Sequence, residues 1–179
     1  MKSDAVPVVK PLVIHVVVMG VAGCGKSAVG QRISAQLGLP LIEGDDFHPA
    51  SNIAKMQQGV ALTDDDRADW LRTLAVELGK RPQGAVLTCS ALKTVYRDTL
   101  RRGVPLLHFV HLAINEAESL RRVAHRPGHF YPPSLVASQF EALQDPAHEP
   151  NVLVLDGAMP LDALAALASS WLVDSTIRN

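Results

Sequence analysis

The sequence has few cysteines, almost no net charge and no apolar run long enough to span a membrane. Its two cysteines, Cys24 and Cys89, match no metal-ligand spacing, and a reduced protein is favoured over a disulfide-bonded one. The net charge of -1 argues against a nucleic-acid or anionic-membrane surface. The apolar run at 12–19 contains His15 and is much shorter than the roughly 20 residues of a membrane span. We therefore expect a cytoplasmic protein without nucleic-acid or membrane partners, in which any affinity for anions comes from a local site.

The remaining composition is that of a globular protein. The 179 residues suit one domain with a sizeable core. Short β-branched runs alternate with amphipathic stretches, which is typical of a parallel sheet covered by helices. No internal repeat, low-complexity tract or linker interrupts this pattern. We predict a loose tail over 1–11 and one α/β domain over 12–179.

The pattern of apolar residues predicts the order of strands and helices. Between 125 and 133 there is no periodicity, so this stretch is predicted as a loop. Strands are predicted at 13–19, from 41, at 85–89, at 106–112 and at 152–155. Helices are predicted at 26–37, at 49–58, after an N-cap at Thr63, and at 93–102, 116–124, 134–143 and 161–173.

A glycine-rich segment at 20–27 fits the pattern GxxxxGK[ST] between a predicted strand and a predicted helix. Glycines allow successive N–H groups to turn inward, so that the helix N-terminus closes an anion nest. Lys26 reaches the β- and γ-phosphates in such loops, and the Ser27 hydroxyl coordinates Mg²⁺. A plain glycine-rich turn would not need Lys and Ser in register. The predicted ATP and Mg²⁺ site comprises Gly20, Val21, Ala22, Gly23, Cys24, Gly25, Lys26 and Ser27.

Two absences narrow the class of nucleotide-binding protein. No Asn-Lys-x-Asp guanine signature is present, which argues against GTPases. The third predicted strand ends in Thr88-Cys89-Ser90 without the terminal Asp of an ordinary Walker B motif. This absence argues against motor-type and transporter-type ATPases, and small-molecule and nucleotide kinases remain. Within the loop, Cys24 is either a small residue at a variable position or a redox-sensitive thiol.

Acidic residues follow the second predicted strand, at the sheet edge where open α/β sheets bind ligands. A kinase needs a group that orients an acceptor hydroxyl and takes its proton. We assign this role to Asp45. Glu43 is a candidate for holding a Mg²⁺-bound water, and Asp46 is interpreted as a solvated or capping acid.

Several ordered motifs resemble those of gluconokinases. The resemblance runs from about Val13 to Trp171, and its departures are the extended tail, Pro127 and the cysteine at position 24. Each motif is weakly specific, whereas the ordered set is highly specific. The matching residues are Gly44-Asp45-Asp46-Phe47-His48-Pro49, Asn52, Lys55-Met56, Gly59, Leu62, Asp64, Asp66-Arg67, Trp70-Leu71, Cys89-Ser90-Ala91-Leu92-Lys93, Tyr96-Arg97-Asp98, Gly128-His129-Phe130 and Gln139-Phe140-Glu141-Ala142-Leu143.

The resemblance implies transfer of the ATP γ-phosphate to the 6-hydroxyl of D-gluconate. It also implies a three-layer P-loop NTPase fold of the nucleoside-monophosphate-kinase type, with a five-stranded parallel sheet close to that of shikimate kinase. A homodimer is an expectation by family analogy alone. A related kinase for another acceptor, such as shikimate or a nucleoside monophosphate, and a non-catalytic nucleotide-binding protein are the alternatives.

A pocket for a polyhydroxy acid needs a cation together with mixed hydrogen-bond donors and acceptors. Arg67 and Arg97 are the preferred cations. Lys55 and Lys93 are equally well explained as surface charges. The residues predicted to bind the acceptor are Asp45, His48, Lys55, Arg67, Arg97 and Gln139.

The basic segment around the 125–133 loop suggests a lid. By similarity to this kinase class, Arg122 would lie by the adenine or phosphates, and Arg126 would swing in on a mobile lid at about 122–133. A guanidinium there stabilises transition-state charge and helps to exclude water. The alternative is a basic helix end that satisfies terminal carbonyls and the helix dipole, and Arg121 is expected to face solvent. The predicted catalytic residues are Lys26, Asp45 and Arg126.

Overall fold

The apolar run Ile14–Met19 forms strand β1, the central strand of a parallel sheet. The computed structural model describes residues 12–125 and 131–178, so the predicted tail lies outside the described residues. All six residues of β1 are buried, because strands flank it on both sides and helices cover both faces. The strand order is β2-β3-β1-β4-β5, with β2 at Leu41–Glu43, β3 at Gly84–Thr88, β4 at His108–Ala113 and β5 at Val152–Asp156.

Helices on the two faces of the sheet produce two apolar layers. On one face Val16 and Val18 pack with Ile33 and Leu172, and on the other Val17 packs among residues that include Leu74. The three-layer fold with a five-stranded parallel sheet is therefore confirmed. The described α-helices are α1 at Lys26–Leu37, α2 at Ala50–Gln57, α3 at Asp64–Gly79, α4 at Thr94–Arg101, α5 at Glu116–Ala124, α6 at Val136–Ala142 and α7 at Leu161–Arg178.

The element boundaries differ from the predictions at a few turns. Strand β4 begins at His108 rather than at 106, because Leu106 has φ 57°, outside the extended region. The predicted helix at 134–143 begins as a 3-10 turn at Pro133–Leu135 and becomes α6 only afterwards. Helix α7 continues past the predicted end at 173 to Arg178, a cation that suits a helix C-terminus.

The strand register gathers polar residues at one edge of the sheet. Thr88 at the end of β3 is the register partner of Val18 in β1 and of Glu43 in β2. Because all of these strands are parallel, their carboxyl ends and the loop after β1 meet at this edge. Across residues 12–125 and 131–178, the structure contains no helix with the length and apolarity that crossing a membrane requires.

Candidate active site

The segment 20–27, called the P-loop below, joins β1 to α1 without a side-chain cap on the helix. Its Gly25 is the N-cap, with φ 99°, a left-handed conformation that glycine adopts without strain. Gly20 has φ 141°, and a Cβ there would lie 2.8 Å from both the Cys24 Sγ and the Leu112 carbonyl oxygen. The first N–H groups of α1 are thus available to a phosphate, as the motif predicts.

The start of the P-loop is held by three side chains. The Lys26 ammonium donates to the carbonyl oxygens of Gly20, at 3.1 Å, and Val21, at 3.0 Å. The Ala22 N–H donates to Oε1 of Gln139 at 2.6 Å. The Ala22 carbonyl accepts from the buried Ser119 hydroxyl at 2.7 Å. Lys26 therefore lies folded over the loop, on the side where it would meet phosphates.

A hydroxyl and carboxylate cluster lies beside the P-loop at the sheet edge. Oε2 of Glu43 accepts hydrogen bonds from the Ser27 hydroxyl at 3.0 Å and from the Thr88 hydroxyl at 2.5 Å. These hard oxygen donors suit Mg²⁺, which usually keeps several waters and takes few protein ligands. The part of the chain described here has no group of three or more His, Cys, Asp or Glu residues that could hold a metal ion.

The residues after β2 form the opposite side of the site. A single 3-10 turn at Gly44–Phe47 carries Asp45, whose side chain is about half exposed. His48 follows the turn, stacked on Trp70 with ring centroids 4.0 Å apart and an interplanar angle of 16°. The Trp70 indole N–H donates to the Gly44 carbonyl at 2.8 Å. Helix α3 therefore fixes the position of this turn.

The imidazole of His48 is neutral at physiological pH. Burial, opposed by the Asp45 carboxylate and assisted by Arg67, lowers the pKa of His48 from 6.5 to about 4. Its Nε2 lies 3.8 Å from Oδ1 of Asp45, and its buried Nδ1 has no protein partner among the described residues. A neutral His48 leaves the Asp45 carboxylate free to accept a hydrogen bond from a ligand.

Arg67 is the arginine that α3 brings to the site. One of its Nη1 hydrogens is donated to the Leu62 carbonyl, and the guanidinium carbon lies 5.7 Å from the Tyr96 ring centroid. Lys93 and Tyr96 both bind Oδ1 of Asp64 on the neighbouring surface. The guanidinium keeps further donors available, since the carbonyl uses only one edge.

Helix α5 brings two more arginines to the site. Glu118 accepts from Arg121 at 2.7 and 2.8 Å and from Arg122 at 2.5 Å, and hydrogen bonds from Arg121 and then Arg122 lower its pKa to about 2. Arg122 also donates to the carbonyls of Gly23, at 3.4 Å, and Gly157, at 3.1 Å. The prediction that Arg121 faces solvent agrees with its side-chain exposure of 63%, although it also reaches the rim of the site.

These groups line one cavity of about 550 Å³, within the usual size range of small-ligand sites. The P-loop residues and the residues that follow β2 therefore line the same cavity. The lining residues are Ala22, Gly23, Gly25, Lys26, Ser27, Ala28, Asp45, His48, Met56, Leu62, Arg67, Trp70, Thr88, Ser90, Arg121, Arg122, Val123, His125, Tyr131 and Gln139.

Two predicted acceptor residues lie away from the cavity. Arg97 has no exposed surface and binds Glu149, the carbonyls of Ala91 and Leu92, and the Gln144 carbonyl. The prediction of Arg97 as a pocket cation is therefore wrong, because its donors are used in a buried structural network. Lys55 pairs with Asp66 at 2.6 Å and is not among the lining residues, so its interpretation as a surface charge is favoured.

Some described residues of the P-loop and of the predicted lid do not line the cavity. Gly20, Val21 and Cys24 belong to the P-loop but not to the cavity lining, and Cys24 is 1% exposed. That burial favours its interpretation as a small tolerated residue. Within the predicted lid, Arg126 and the rest of 126–130 lie outside the described residues, so the role of Arg126 stays a prediction.

Several lining residues were missed as site residues, among them Thr88, Trp70 and Tyr131. Thr88 was noted only because its strand lacks the terminal Asp of a Walker B motif. A polar residue that ends a strand beside the P-loop strand is nevertheless a usable signal of a site residue. Trp70 was noted among the residues that match gluconokinases but was given no site role, and its stacking with His48 depends on tertiary packing. Tyr131 lies in the predicted loop at 125–133, where no periodicity indicated its position.

We expect His48 to make the protein less stable in mild acid. The unfolded chain binds a proton near pH 6.5 and the folded chain only near pH 4, so stability falls as the pH decreases between these values. The loss attributable to His48 is at most about 3 kcal/mol. Urea unfolding at pH 7, 6, 5 and 4.5 would measure it, with a shallower dependence expected for His48→Gln.

The exposed His148 provides the matched control. His148→Gln should retain the pH dependence of the wild type. Parallel pH profiles for His48→Gln and the wild type would show that His48 is not held neutral by the fold.

Comparisons with known proteins agree with this geometry. The thermosensitive gluconokinase of Escherichia coli (strain K12) is 44% identical over 144 residues, covering 78% of this chain and 77% of that protein. A gluconokinase structure from Sinorhizobium meliloti 1021 superposes with a TM-score of 0.86 at 42% identity, covering 94% of this chain and 97% of that one. Shikimate kinase from Aquifex aeolicus, at 15% identity and a TM-score of 0.62 over 93% of this chain and all of that one, shares the fold. No protein-family model matches the chain.

Proposed function

This chain belongs to the gluconokinase family, and from that premise we propose that it transfers the γ-phosphate of ATP to the 6-hydroxyl of D-gluconate. The products are 6-phospho-D-gluconate and ADP. The observation that carries this proposal is a single cavity that joins Lys26 and Ser27 of the P-loop to Asp45 and Arg67. Phosphoryl transfer needs both partners in one space, and positioning with electrostatic stabilisation supplies most of the catalysis.

The P-loop side would bind the nucleotide. The P-loop N–H groups and the start of α1 bind the phosphates, and the Lys26 ammonium exchanges its two backbone carbonyls for phosphate oxygens. Ser27 and, through water, Glu43 are the residues that would hold Mg²⁺. When bound there, Mg²⁺ would supply positive charge that offsets the negative charge of the phosphates. Glu43 and Thr88 thus take the place of the missing Walker B acid.

The acceptor side would bind gluconate. Asp45 accepts the proton of the 6-hydroxyl, which orients this oxygen for attack. Arg67 is the cation suited to the carboxylate of the acceptor, because a guanidinium binds carboxylates in a bidentate manner. Neutral His48 contributes a hydrogen bond to a hydroxyl without adding charge. Arg122 lies by the phosphates, and Arg126 closes on them in the predicted role.

An acceptor panel tests this function. We expect ADP release from ATP with D-gluconate and none above background with shikimate or AMP, and ³¹P NMR of the product should show a phosphomonoester on C6. Lys26→Met, which removes the phosphate-binding ammonium, should abolish the gluconate-dependent signal and excludes a contaminating kinase. Turnover of shikimate but not gluconate would refute the substrate, and ATP binding without turnover of any acceptor would favour a non-catalytic protein.

Two further expectations accompany this function. The protein is predicted to work in the cytoplasm and to form a homodimer, and both stay predictions.

A further inference from the structure

One peptide unit of the P-loop, between Val21 and Ala22, is hydrogen-bonded at both ends by side chains. Its carbonyl accepts from the Lys26 ammonium at 3.0 Å, and its N–H donates to Gln139 at 2.6 Å. A backbone N–H can only donate, so the amide oxygen of Gln139 must face it. Gln139 reaches this position from α6, far along the chain, and its side chain is largely buried.

The location of this peptide indicates which phosphate would meet it. Lys26 is the P-loop residue that reaches the β- and γ-phosphates, and its ammonium lies on the carbonyl of this same peptide. The Ala22 N–H adjoins that ammonium and precedes the start of α1 by four residues, which favours the γ-phosphate as its partner, and Ala22, Lys26 and Gln139 all line the cavity. The β-phosphate has the later N–H groups, at the start of α1, for its own contacts.

Gln139 is a neutral partner in a place suited to an anion. Hydrogen bonds from a backbone N–H to an ionised oxygen are roughly twice as strong as bonds between neutral groups. A γ-phosphate oxygen can thus displace the amide oxygen, whereas a diphosphate leaves it in place. Ser119, fully buried and bonded to the Ala22 carbonyl, holds the next peptide in either case.

We propose that Gln139 competes with the γ-phosphate for the Ala22 N–H and so determines how strongly the site prefers a triphosphate to a diphosphate. This role rests on the proposed use of ATP, and it assigns Gln139 to the nucleotide rather than to the acceptor. The bond to Gln139 is present in the free and diphosphate-bound protein and is lost in the triphosphate-bound protein. A stronger hydrogen bond between Gln139 and the Ala22 N–H therefore lowers the affinity for a triphosphate and leaves the affinity for a diphosphate unchanged.

Opposite substitutions at this position should shift the preference in opposite directions. Gln139→Met removes the competing oxygen, so the ratio of affinities for the β,γ-imido analogue of ATP over ADP should rise about threefold to tenfold, the effect of one ordinary hydrogen bond. Gln139→Glu places a carboxylate on the same N–H, which binds more tightly and repels the γ-phosphate. Its ratio should fall about tenfold or more. Calorimetric titration with each nucleotide, without gluconate, measures both ratios.

The control is Gln36→Met, the same substitution at a glutamine that bonds Ser169 between α1 and α7 and does not line the cavity. Its ratio should equal that of the wild type. Equal changes in both nucleotide affinities for the Gln139 variants, or a fall in the ratio for Gln139→Met, would overturn the proposal. If gluconate is not phosphorylated but the two ratios shift as expected, the substrate proposal fails and this one stands. If the wild type binds neither nucleotide, both fail.

Discussion

Asp45→Asn is expected to lower kcat for gluconate phosphorylation by about 10²- to 10⁴-fold, the usual contribution of a positioned acid or base. The carboxylate lies in the 3-10 turn after β2 and lines the same cavity as Lys26. Because His48 beside it is neutral, no buried cation neutralises Asp45 from that side. An asparagine amide has similar size but cannot take a proton. Steady-state kinetics should show the loss in kcat, with KM for ATP nearly unchanged.

Asp46 provides the matched control for this substitution. It is the next residue in the same turn, exposed, and not among the lining residues. Asp46→Asn should retain kcat within about twofold, as surface substitutions commonly do. If Asp45→Asn retains activity to the same degree, Asp45 does not act on the acceptor hydroxyl.

Glu149→Gln is expected to destabilise the fold by about 3 kcal/mol or more, because it leaves a buried guanidinium without its counter-charge. The Glu149 carboxylate accepts hydrogen bonds from Nε of Arg97 at 3.0 Å, from Nη2 of Arg97 at 2.5 Å and from Nη2 of Arg101 at 2.7 Å. Burial opposes ionisation of Glu149, but the hydrogen bonds from Arg97 and Arg101 outweigh it and lower its pKa to about 2. This stabilisation should therefore be present above pH 4.5 and be lost as the pH falls towards 2. Urea unfolding at pH 7 measures the effect.

An exposed ion pair provides the comparison. Asp69 pairs with Arg72, and both side chains are mostly exposed. Asp69→Asn should change the free energy of unfolding by less than about 1 kcal/mol, as is usual for surface pairs. Similar losses for Glu149→Gln and Asp69→Asn would mean that the buried network does not hold the fold.

The correction of Arg97 shows why this network escaped the sequence. Arg97 stands in a motif shared with kinases, so its charge suggested a ligand. Its actual partner, Glu149, is 52 residues away in an irregular stretch that has no periodicity to place it. Arg97 still affects the site, because it binds the carbonyls of Ala91 and Leu92 next to the lining residue Ser90. Ala91 has φ 45°, and these bonds hold that unusual conformation.

Local signals were sufficient for the central strand, for the α/β class and for half of the site. The buried run of β1 and the glycine and lysine pattern after it are contiguous in sequence, so the P-loop and the central strand were predictable. The three-layer P-loop fold type came from the resemblance, and the order of the five strands was not predicted. Contacts such as Glu43 with Thr88, or Ala22 with Gln139, depend on how separate strands and helices meet. A single sequence carries no direct signal for such pairings.

Because both cysteines are buried, the rate at which a thiol reagent modifies each of them measures local opening of the fold. Cys24 in the P-loop and Cys89 directly after β3 are each 1% exposed, and burial raises the pKa of Cys89 to about 12. A thiol reagent reacts with the thiolate, so it modifies these sulfurs only when the surrounding segment opens to solvent. The labelling rate at Cys24 therefore depends on how often the P-loop opens to solvent, and the rate at Cys89 depends on how often the sheet edge opens. Mass spectrometry on the unmodified chain, with and without nucleotide, would measure both rates.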